Sequence, residues 1–269
     1  MQRRDFLRSG LLLGATGTVP GAALAASQLA NAPPTRTGLV LPPLNDSEMF
    51  GFLIHAIEQG LLEVIKSLVR QGANVQADDG FGLTPLHHAA CSNSYDDILA
   101  YLVSQGANVH AKDGSGRTPL HVATDHIDAV KYLVLQDADV NARDIFDSTP
   151  LHNAAQHRPR IEVMEYLIFH GADVNAEDKD GNTPLHDAAQ FHSRYEVLEC
   201  ILSQGAEVNA KNNVGKTALS FTWDRIRNCK NYAEFARLKN SIDLLSRTAG
   251  ESAEEQRKRE ILLQVYYMK

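Results

Sequence analysis

Apolar positions along the chain come in short paired runs that recur at a nearly constant spacing. The first run of each pair follows Thr-Pro-Leu-His, which starts at Thr84, Thr118, Thr149 and Thr183, with a weaker copy at Thr217. The intervals between these starts are 34, 31, 34 and 34 residues. The threonine hydroxyl can cap a helix, and proline needs no amide partner in a first helical turn. Each start therefore predicts a short helix.

The second run of each pair has one apolar stripe at helical spacing. In one repeat that stripe comprises Val163, Met164, Leu167 and Ile168. A variant of Gly-Ala-Asp-Val-Asn-Ala follows each stripe, and its first residue, as in Gly171, suits the left-handed turn that ends a helix. The pattern predicts a second helix, a turn, and then a loop that leads to the next repeat.

A period of this length with Thr-Pro-Leu-His resembles the ankyrin repeat, over roughly residues 47–247. The resemblance implies an all-α repeat solenoid, in which helix-turn-helix units stack with β-turn or hairpin fingers and end in a helical C-terminal cap. One repeat cannot bury its own apolar face, so neighbours must stack. We expect an ankyrin domain over 47–216 and a degenerate capping repeat with a C-terminal helix over 217–269. The expected repeats are 47–79, 80–113, 114–144, 145–178 and 179–212.

The N-terminal segment resembles a twin-arginine (Tat) export signal. Arg3 and Arg4 precede an apolar run from Leu11 to Leu24, and small residues prepare a cleavage site after Ala25. The run has about 14 residues, fewer than the roughly 20 that a spanning helix needs, although an uncleaved anchor is the alternative. We expect a signal peptide over 1–25, a flexible linker over 26–46 and a periplasmic protein that does not span the membrane.

Charge and cysteine content argue against nucleic-acid binding, a disulfide framework and a zinc site. The formal net charge is −7, and removing the signal segment leaves 23 basic and 32 acidic residues. An acidic chain does not hold nucleic acid by bulk electrostatics. Three cysteines at unrelated spacings make neither a disulfide framework nor a zinc motif. Cys200 and Cys229 could pair, but buried free thiols are the favoured interpretation.

The histidine of each Thr-Pro-Leu-His is expected to be structural. In the ankyrin family this histidine hydrogen-bonds between adjacent units, and the threonine caps the helix. A metal role is rejected because the histidines lie about one helix separation apart, far beyond metal-ligand distances. Other histidines, His88, His157 and His192, are expected to be exposed. The structural set is Thr84, His87, Thr118, His121, Thr149, His152, Thr183 and His186.

Departures from the repeat pattern locate candidate binding residues. The finger tips carry apolar residues where solvent is expected, at Phe81, Leu83, Ile145 and Phe146. Phe81 and Phe146 occupy the same repeat column, which favours a shared binding patch, although isolated apolar surface residues are common. Arg117 in the next finger is added as a candidate.

The turns between the two helices of a repeat form the second candidate site. Three of them are one residue longer than usual, and aligning them gives a basic and aromatic ridge. Arginine and aromatic side chains are enriched in binding hot spots. The alternative is that the arginines are solvated or pair with Glu162 and Glu196. The ridge comprises Tyr95, His157, Arg158, Arg160, Phe191, His192 and Arg194.

Two further expectations concern stability and the C-terminal end. The third repeat is short and has Asp137 in place of the turn glycine, so we expect the stack to be weakest near residues 118–144. A longer capping helix is expected around Tyr232 to Leu245. Leu263, Tyr266 and Tyr267 are expected either to fold back on the stack or to bind a partner.

No nucleophile elbow, metal-protease motif or complete phosphate loop is recognisable in the sequence. We therefore expect a non-catalytic scaffold without a cofactor, monomeric, that binds a protein partner. Such a scaffold could escort an envelope enzyme. The alternatives are an inhibitor or immunity protein against an envelope-acting toxin, and a protein that binds a small ligand or haem.

Overall fold

The computed structural model describes residues 45–92, 96–156, 160–191, 195–229, 232–250, 256–257, 259–261 and 263. The described residues form helices joined by turns and contain no strand. The signal segment and residues 26–44 of the predicted linker lie outside the described residues. The linker prediction is wrong at its end, because Asn45 caps the first described helix and Asp46 is its first residue. The chain divides into two compact units, which meet in sequence between Ala138 and Asp139.

The described residues of the first unit form three pairs of helices in chain order. They are α1 (Asp46–Glu58), α2 (Leu62–Arg70), α3 (Pro85–Cys91), α4 (Asp96–Ser104), α5 (Pro119–Val122) and α6 (Ile127–Leu135). Within each pair the helices pack on each other, and α3 packs between α1 and α5. The core consists of fully buried aliphatic side chains such as Leu53, Leu86, Leu102 and Leu133. The apolar stripes predicted from the sequence therefore face a common interior, as stacked repeats require.

The second unit repeats this plan. Its helices are α7 (Pro150–Gln156), α8 (Ile161–Phe169), α9 (Pro184–Phe191), α10 (Tyr195–Ser203), α11 (Ala218–Asn228) and α12 (Tyr232–Thr248). The helix α9 packs between α7 and α11, while α12 packs on both α10 and α11. The last pair thus takes the place of a sixth repeat whose outer helix is longer.

The C-terminal cap is built on the long helix α12. Phe235, Leu238 and Ile242 are buried in a cluster with Ile226 and Leu263. The expected fold-back of Leu263 is confirmed, since that side chain is 3% exposed. Tyr266 and Tyr267 lie outside the described residues. Tyr232 is 65% exposed because it begins the helix at the edge of the cluster.

The turns that end the outer helices follow the predicted left-handed geometry. Gly106 and Gly171 have φ of 90° and 92°, and Asp137 has φ of 61° in the same place. The left-handed conformation predicted for Asp137 is therefore confirmed. All three cysteines are free thiols, and Cys200 is buried, as the favoured interpretation held.

Candidate functional site

Each finger is organised by one aspartate or asparagine side chain. The Asp79 Oδ1 atom accepts hydrogen bonds from the amides of Phe81 (2.9 Å) and Leu83 (3.1 Å). The same two-amide pattern recurs five residues before every repeat threonine, where a short polar side chain replaces the backbone partner that a turn lacks. These residues were missed by the sequence analysis, although their regular position before each threonine was a usable signal. They are Asp79, Asp113, Asp144, Asp178 and Asn212.

In the first unit, one finger lies directly against the next. The carbonyl oxygen of Phe81 accepts a hydrogen bond from the Gly114 amide at 2.7 Å. A Cβ atom on Gly82 would lie 2.7 Å from the Gly114 nitrogen, so no side chain fits between the two backbones. Gly82 also has φ of 82°, which most residues with a side chain avoid. The loop that carries Phe81 is thus held in place by its neighbour.

In the second unit, the same contact is made with different residues. The carbonyl oxygen of Phe146 accepts a hydrogen bond from the Lys179 amide at 2.9 Å, and that of Asp180 accepts one from the Asn213 amide at 3.0 Å. The Asn213 side chain also donates to the Lys179 carbonyl oxygen at 2.9 Å. Three successive fingers are therefore linked through their backbones.

These linked backbones present apolar side chains to solvent. Phe81 is 61% exposed in the first unit, and Ile145 is 46% exposed in the second. Val214 is 75% exposed and was missed by the sequence analysis, although it occupies the same repeat column as Phe81 and Phe146. Phe146 is half-buried. Because Phe81 belongs to one unit and Phe146 to the other, the shared patch stays a prediction.

Two predicted finger residues are buried. The exposure expected for Leu83 is wrong, since it is 7% exposed. Arg117 occupies the same column and is 6% exposed, with its Nε and Nη2 atoms 2.8 and 2.7 Å from Asp113 Oδ2. The residue before each threonine lies at the base of the finger, so these two side chains are not exposed at its tip.

Three of the repeat histidines donate a hydrogen bond to the next repeat, as the family resemblance implied. His87 Nδ1 accepts a hydrogen bond from the Thr84 amide (3.1 Å) and another from the Thr84 hydroxyl (2.9 Å). The opposite nitrogen, Nε2, therefore carries the proton and donates to the Arg117 carbonyl oxygen at 3.0 Å. His152 and His186 make the equivalent bonds to Asn182 and Lys216.

These bonds require a neutral imidazole. Burial is the largest influence on His87 and His186, and it lowers the pKa of both. The hydrogen bonds to the Arg117 and Lys216 carbonyl oxygens oppose this shift only in part. His121 accepts the same bonds from Thr118, at 3.1 Å from its amide and 2.9 Å from its hydroxyl. The histidines and threonines of this set thus hydrogen-bond to each other within each repeat. Among the described residues no group of three His, Cys, Asp or Glu side chains could hold a metal.

The exposure expected for His88 is also wrong, because only 12% of its side chain is accessible. It is wedged between α1 and the finger that contains Asp79, and burial lowers its pKa. His157 and His192 lie outside the described residues.

Burial raises the pKa of both the Cys91 and the Cys200 thiol to about 11, so neither is a thiolate nucleophile at neutral pH.

The predicted inter-helix ridge is described only at its margins. Arg160 is exposed at the residue that precedes α8, and Phe191 is half-buried at the end of α9. The other members, Tyr95, His157, Arg158, His192 and Arg194, lie outside the described residues. The ridge therefore stays a prediction.

A family model for ankyrin repeats in three copies matches residues 53–144 and 135–212, more than half of the chain. This chain is an ankyrin repeat protein. Protein phosphatase 1 regulatory subunit 27 of Homo sapiens and of Mus musculus are each 47% identical to it over 49 residues. That stretch covers 18% of this chain and 31% of each relative. Ankyrin repeats form protein–protein interaction modules, typically without catalysis.

No helix in the described ranges is both long and apolar enough to cross a membrane.

Proposed function

We propose that this ankyrin repeat protein is a non-catalytic scaffold, without a cofactor, that binds a partner protein through the apolar side chains at its finger tips. The observation that carries the proposal is the exposure of Phe81, Ile145 and Val214 on fingers whose backbones are fixed by hydrogen bonds to their neighbours. Isolated apolar residues on a surface are common, but these three project from rigid turns at related repeat positions.

The rigidity of the fingers favours binding. Ordering a loop during association costs free energy, and a loop that is already fixed avoids that cost. Phe81 is fixed on both sides, since Asp79 holds its amide and Gly114 holds its carbonyl oxygen. Burying a phenylalanine fully is worth about 1.5–3 kcal/mol, so a few such tips can supply much of a binding free energy. We expect the partner to offer apolar pockets.

The inter-helix turns would add a second, polar contact. Arg160 is exposed at the edge of this region, and Arg158 lies two residues before it. The predicted ridge adds Tyr95, Phe191 and Arg194 from the corresponding turns of other repeats. An acidic partner surface would complement them. The 49 residues shared with the phosphatase regulatory subunits are too short a stretch to assign the partner of those proteins to this chain.

The proposal includes export to a bacterial periplasm. It is supported by Arg3 and Arg4, by the short apolar run after them and by the small residues around Ala25. Replacing both arginines by lysine should keep the protein inside the cell, whereas the unaltered chain should be recovered from the periplasm with residue 26 at its N-terminus. Recovery of both forms from the same compartment would contradict this part of the proposal.

The binding proposal is tested by capture with matched variants. One variant replaces Phe81, Ile145 and Val214 by serine. The control replaces Leu135 and Phe169 by serine, because these are 70% and 86% exposed at the ends of outer helices rather than on fingers. We expect one abundant protein to be retained from native extract by the unaltered chain and by the control, and to be lost from the finger variant. Equal retention by all three, with unchanged circular dichroism, would overturn the proposed surface.

A further inference from the structure

His88 and Asp79 face each other as an unsatisfied pair inside the first unit. The distance between His88 Nε2 and Asp79 Oδ2 is 3.9 Å, too long for a hydrogen bond. Both atoms are shielded from solvent, and neither has a hydrogen-bond partner among the described residues. A buried polar atom without a partner is costly, so such a pair calls for an explanation.

The opposite oxygen of the same carboxylate holds the finger. Asp79 Oδ1 fixes the amides of Phe81 and Leu83, and the Phe81 carbonyl oxygen holds the Gly114 amide. Any movement of the Asp79 side chain is therefore transmitted to the turn that presents Phe81. His88 itself belongs to α3, which makes this carboxylate the link between a helix and a finger.

The charges around His88 act in opposite directions. The Asp79 carboxylate on the finger and Glu58 on α1 favour the protonated imidazole, whereas burial and the neighbouring His87 on α3 disfavour it. Burial is the largest of these influences and lowers the pKa of His88. On the side of α5, the charges of Arg117 and Asp125 act on His87 and Cys91 rather than on His88. At neutral pH the imidazole is therefore uncharged and the pair stays open.

We propose that His88 and Asp79 form a proton-operated latch, in which acidification closes the pair and shifts the finger that carries Phe81. One proton taken from solvent makes the imidazole a cation with an N–H donor on both ring nitrogens, so Nε2 can then donate to Asp79 Oδ2. A charge-assisted bond of this kind is about 2.7–2.9 Å long, so the two groups would approach by roughly 1 Å. Its consequence for partner binding rests on the proposed function, but the latch itself does not.

The second unit supplies a natural control. Asn153 occupies the position of His88, directly after the histidine of its Thr-Pro-Leu-His. Asp144 organises the finger ahead of it as Asp79 does, with Oδ1 bonds of 2.8 and 2.9 Å to the amides of Phe146 and Ser148. An asparagine does not titrate, so this finger should not respond to protonation at that position.

The test is an NMR pH titration of the folded chain without any partner. From about pH 7.5 to about 5 we expect the Phe81, Leu83 and Gly114 amide signals to shift with the same midpoint as the His88 ring, while those of Phe146, Ser148 and Lys179 do not share that midpoint. In His88→Asn and Asp79→Asn variants the shared shift should be lost. Asn212 shows that asparagine keeps the two amide bonds of a finger.

Amides of the first finger that do not shift, or that shift equally in His88→Asn, would overturn the latch. Because no partner is present, this result is independent of the capture experiment. Capture that fails while the amides shift would overturn the proposed function alone. Capture that succeeds at both pH values while the amides stay fixed would overturn the latch alone.

Discussion

The fingers of the first unit and those of the second share one backbone plan but are stabilised by different side-chain chemistry. In the first unit, Arg117 and Asp113 form a buried ion pair at 2.7 Å, and Gly82 lies against the backbone of Gly114. In the second unit, a neutral pair of amides lies between two successive fingers instead, since the Asn212 side chain donates to Asn182 Oδ1 at 2.8 Å. The turn itself is the same because an aspartate or asparagine caps it in every repeat.

This difference distinguishes the residues that every finger requires from the residues that vary between fingers. The capping residue and the left-handed residue three positions later fix the shape. The residue before the threonine then decides whether the base of the finger is charged, apolar or amide-bonded. A buried charge is severely destabilising when its partner is removed, whereas a buried neutral group costs less. The first unit should therefore be the more sensitive to substitution.

The largest effect is expected for Arg117→Ala. It leaves the Asp113 carboxylate, whose side chain is 2% exposed, as a buried charge without its partner. Breaking a buried ion pair in this way costs about 3–5 kcal/mol of unfolding free energy. The matched change Asn182→Ala in the second unit removes a neutral bond and should cost about 1–2 kcal/mol. Urea unfolding followed by circular dichroism measures both losses of unfolding free energy. Equal losses in the two variants would show that the charged pair matters no more for stability than the neutral one.

A smaller loss is expected for Gly82→Ala. Its new Cβ atom would lie 2.7 Å from the Gly114 nitrogen and 2.9 Å from Asp113 backbone atoms, so one finger must move away from the other. We expect a loss of about 2–3 kcal/mol.

The control is Gly215→Ala in the second unit. Gly215 has φ of 75° but nothing within 4 Å of an added Cβ, so only the conformational cost of about 1 kcal/mol remains. If both variants lose the same free energy, close packing between fingers contributes nothing and the conformation alone explains the glycine.

The parts of the fold that the sequence predicts are those that depend on local patterns of residues. Thr-Pro starts, apolar stripes at helical spacing and turn glycines each act within a few residues, so the helix pairs and the left-handed Asp137 followed directly. The fold-back of Leu263 followed from its apolar character near a long helix.

Side-chain direction within the fingers was harder to predict. A finger has neither helical nor strand periodicity, so nothing in the sequence says that Leu83 points inward while Phe81 points outward. Arg117 was misread for a different reason: Asp113, four residues earlier, is the partner that allows it to be buried. The burial of His88 depends on the packing of α1 and the finger around it, which no local pattern reports.

Acid is expected to weaken both units, because both rely on neutral histidines. The pKa of His87 in the first unit and of His186 in the second is lowered by burial. The unfolded chain, with an ordinary histidine pKa of about 6.5, then binds protons before the folded chain does. The stability contributed by these histidines is full above that pKa and is lost as the pH falls below it.

Melting temperatures between about pH 7.5 and about 5.5 measure this effect, which should be smaller than the loss in Arg117→Ala. His186→Gln should reduce the pH dependence, since glutamine does not titrate in this range. A melting temperature that rises on acidification would show that the histidines are stabilised by protonation instead. That result would contradict the tautomer assigned from the threonine amide bonds.

The smallest effect is expected where a non-glycine residue is left-handed. Asp137 in the first unit and Asp147 in the second have φ of 61° and 58°. Replacing either by glycine should raise the unfolding free energy by about 0.5–1 kcal/mol, because glycine removes the steric cost of that conformation. The reverse change, Gly106→Asp at φ of 90°, should lower it by a similar amount.

Hydrogen exchange measures the same effect locally. Residues 118–144 are predicted to form the least protected repeat. Asp137→Gly should therefore slow the exchange of their amides, whereas Asp147→Gly should not. If that repeat is already the best protected, its short helix α5 and the aspartate turn are compensated by packing, and the conformational cost at Asp137 does not set local stability.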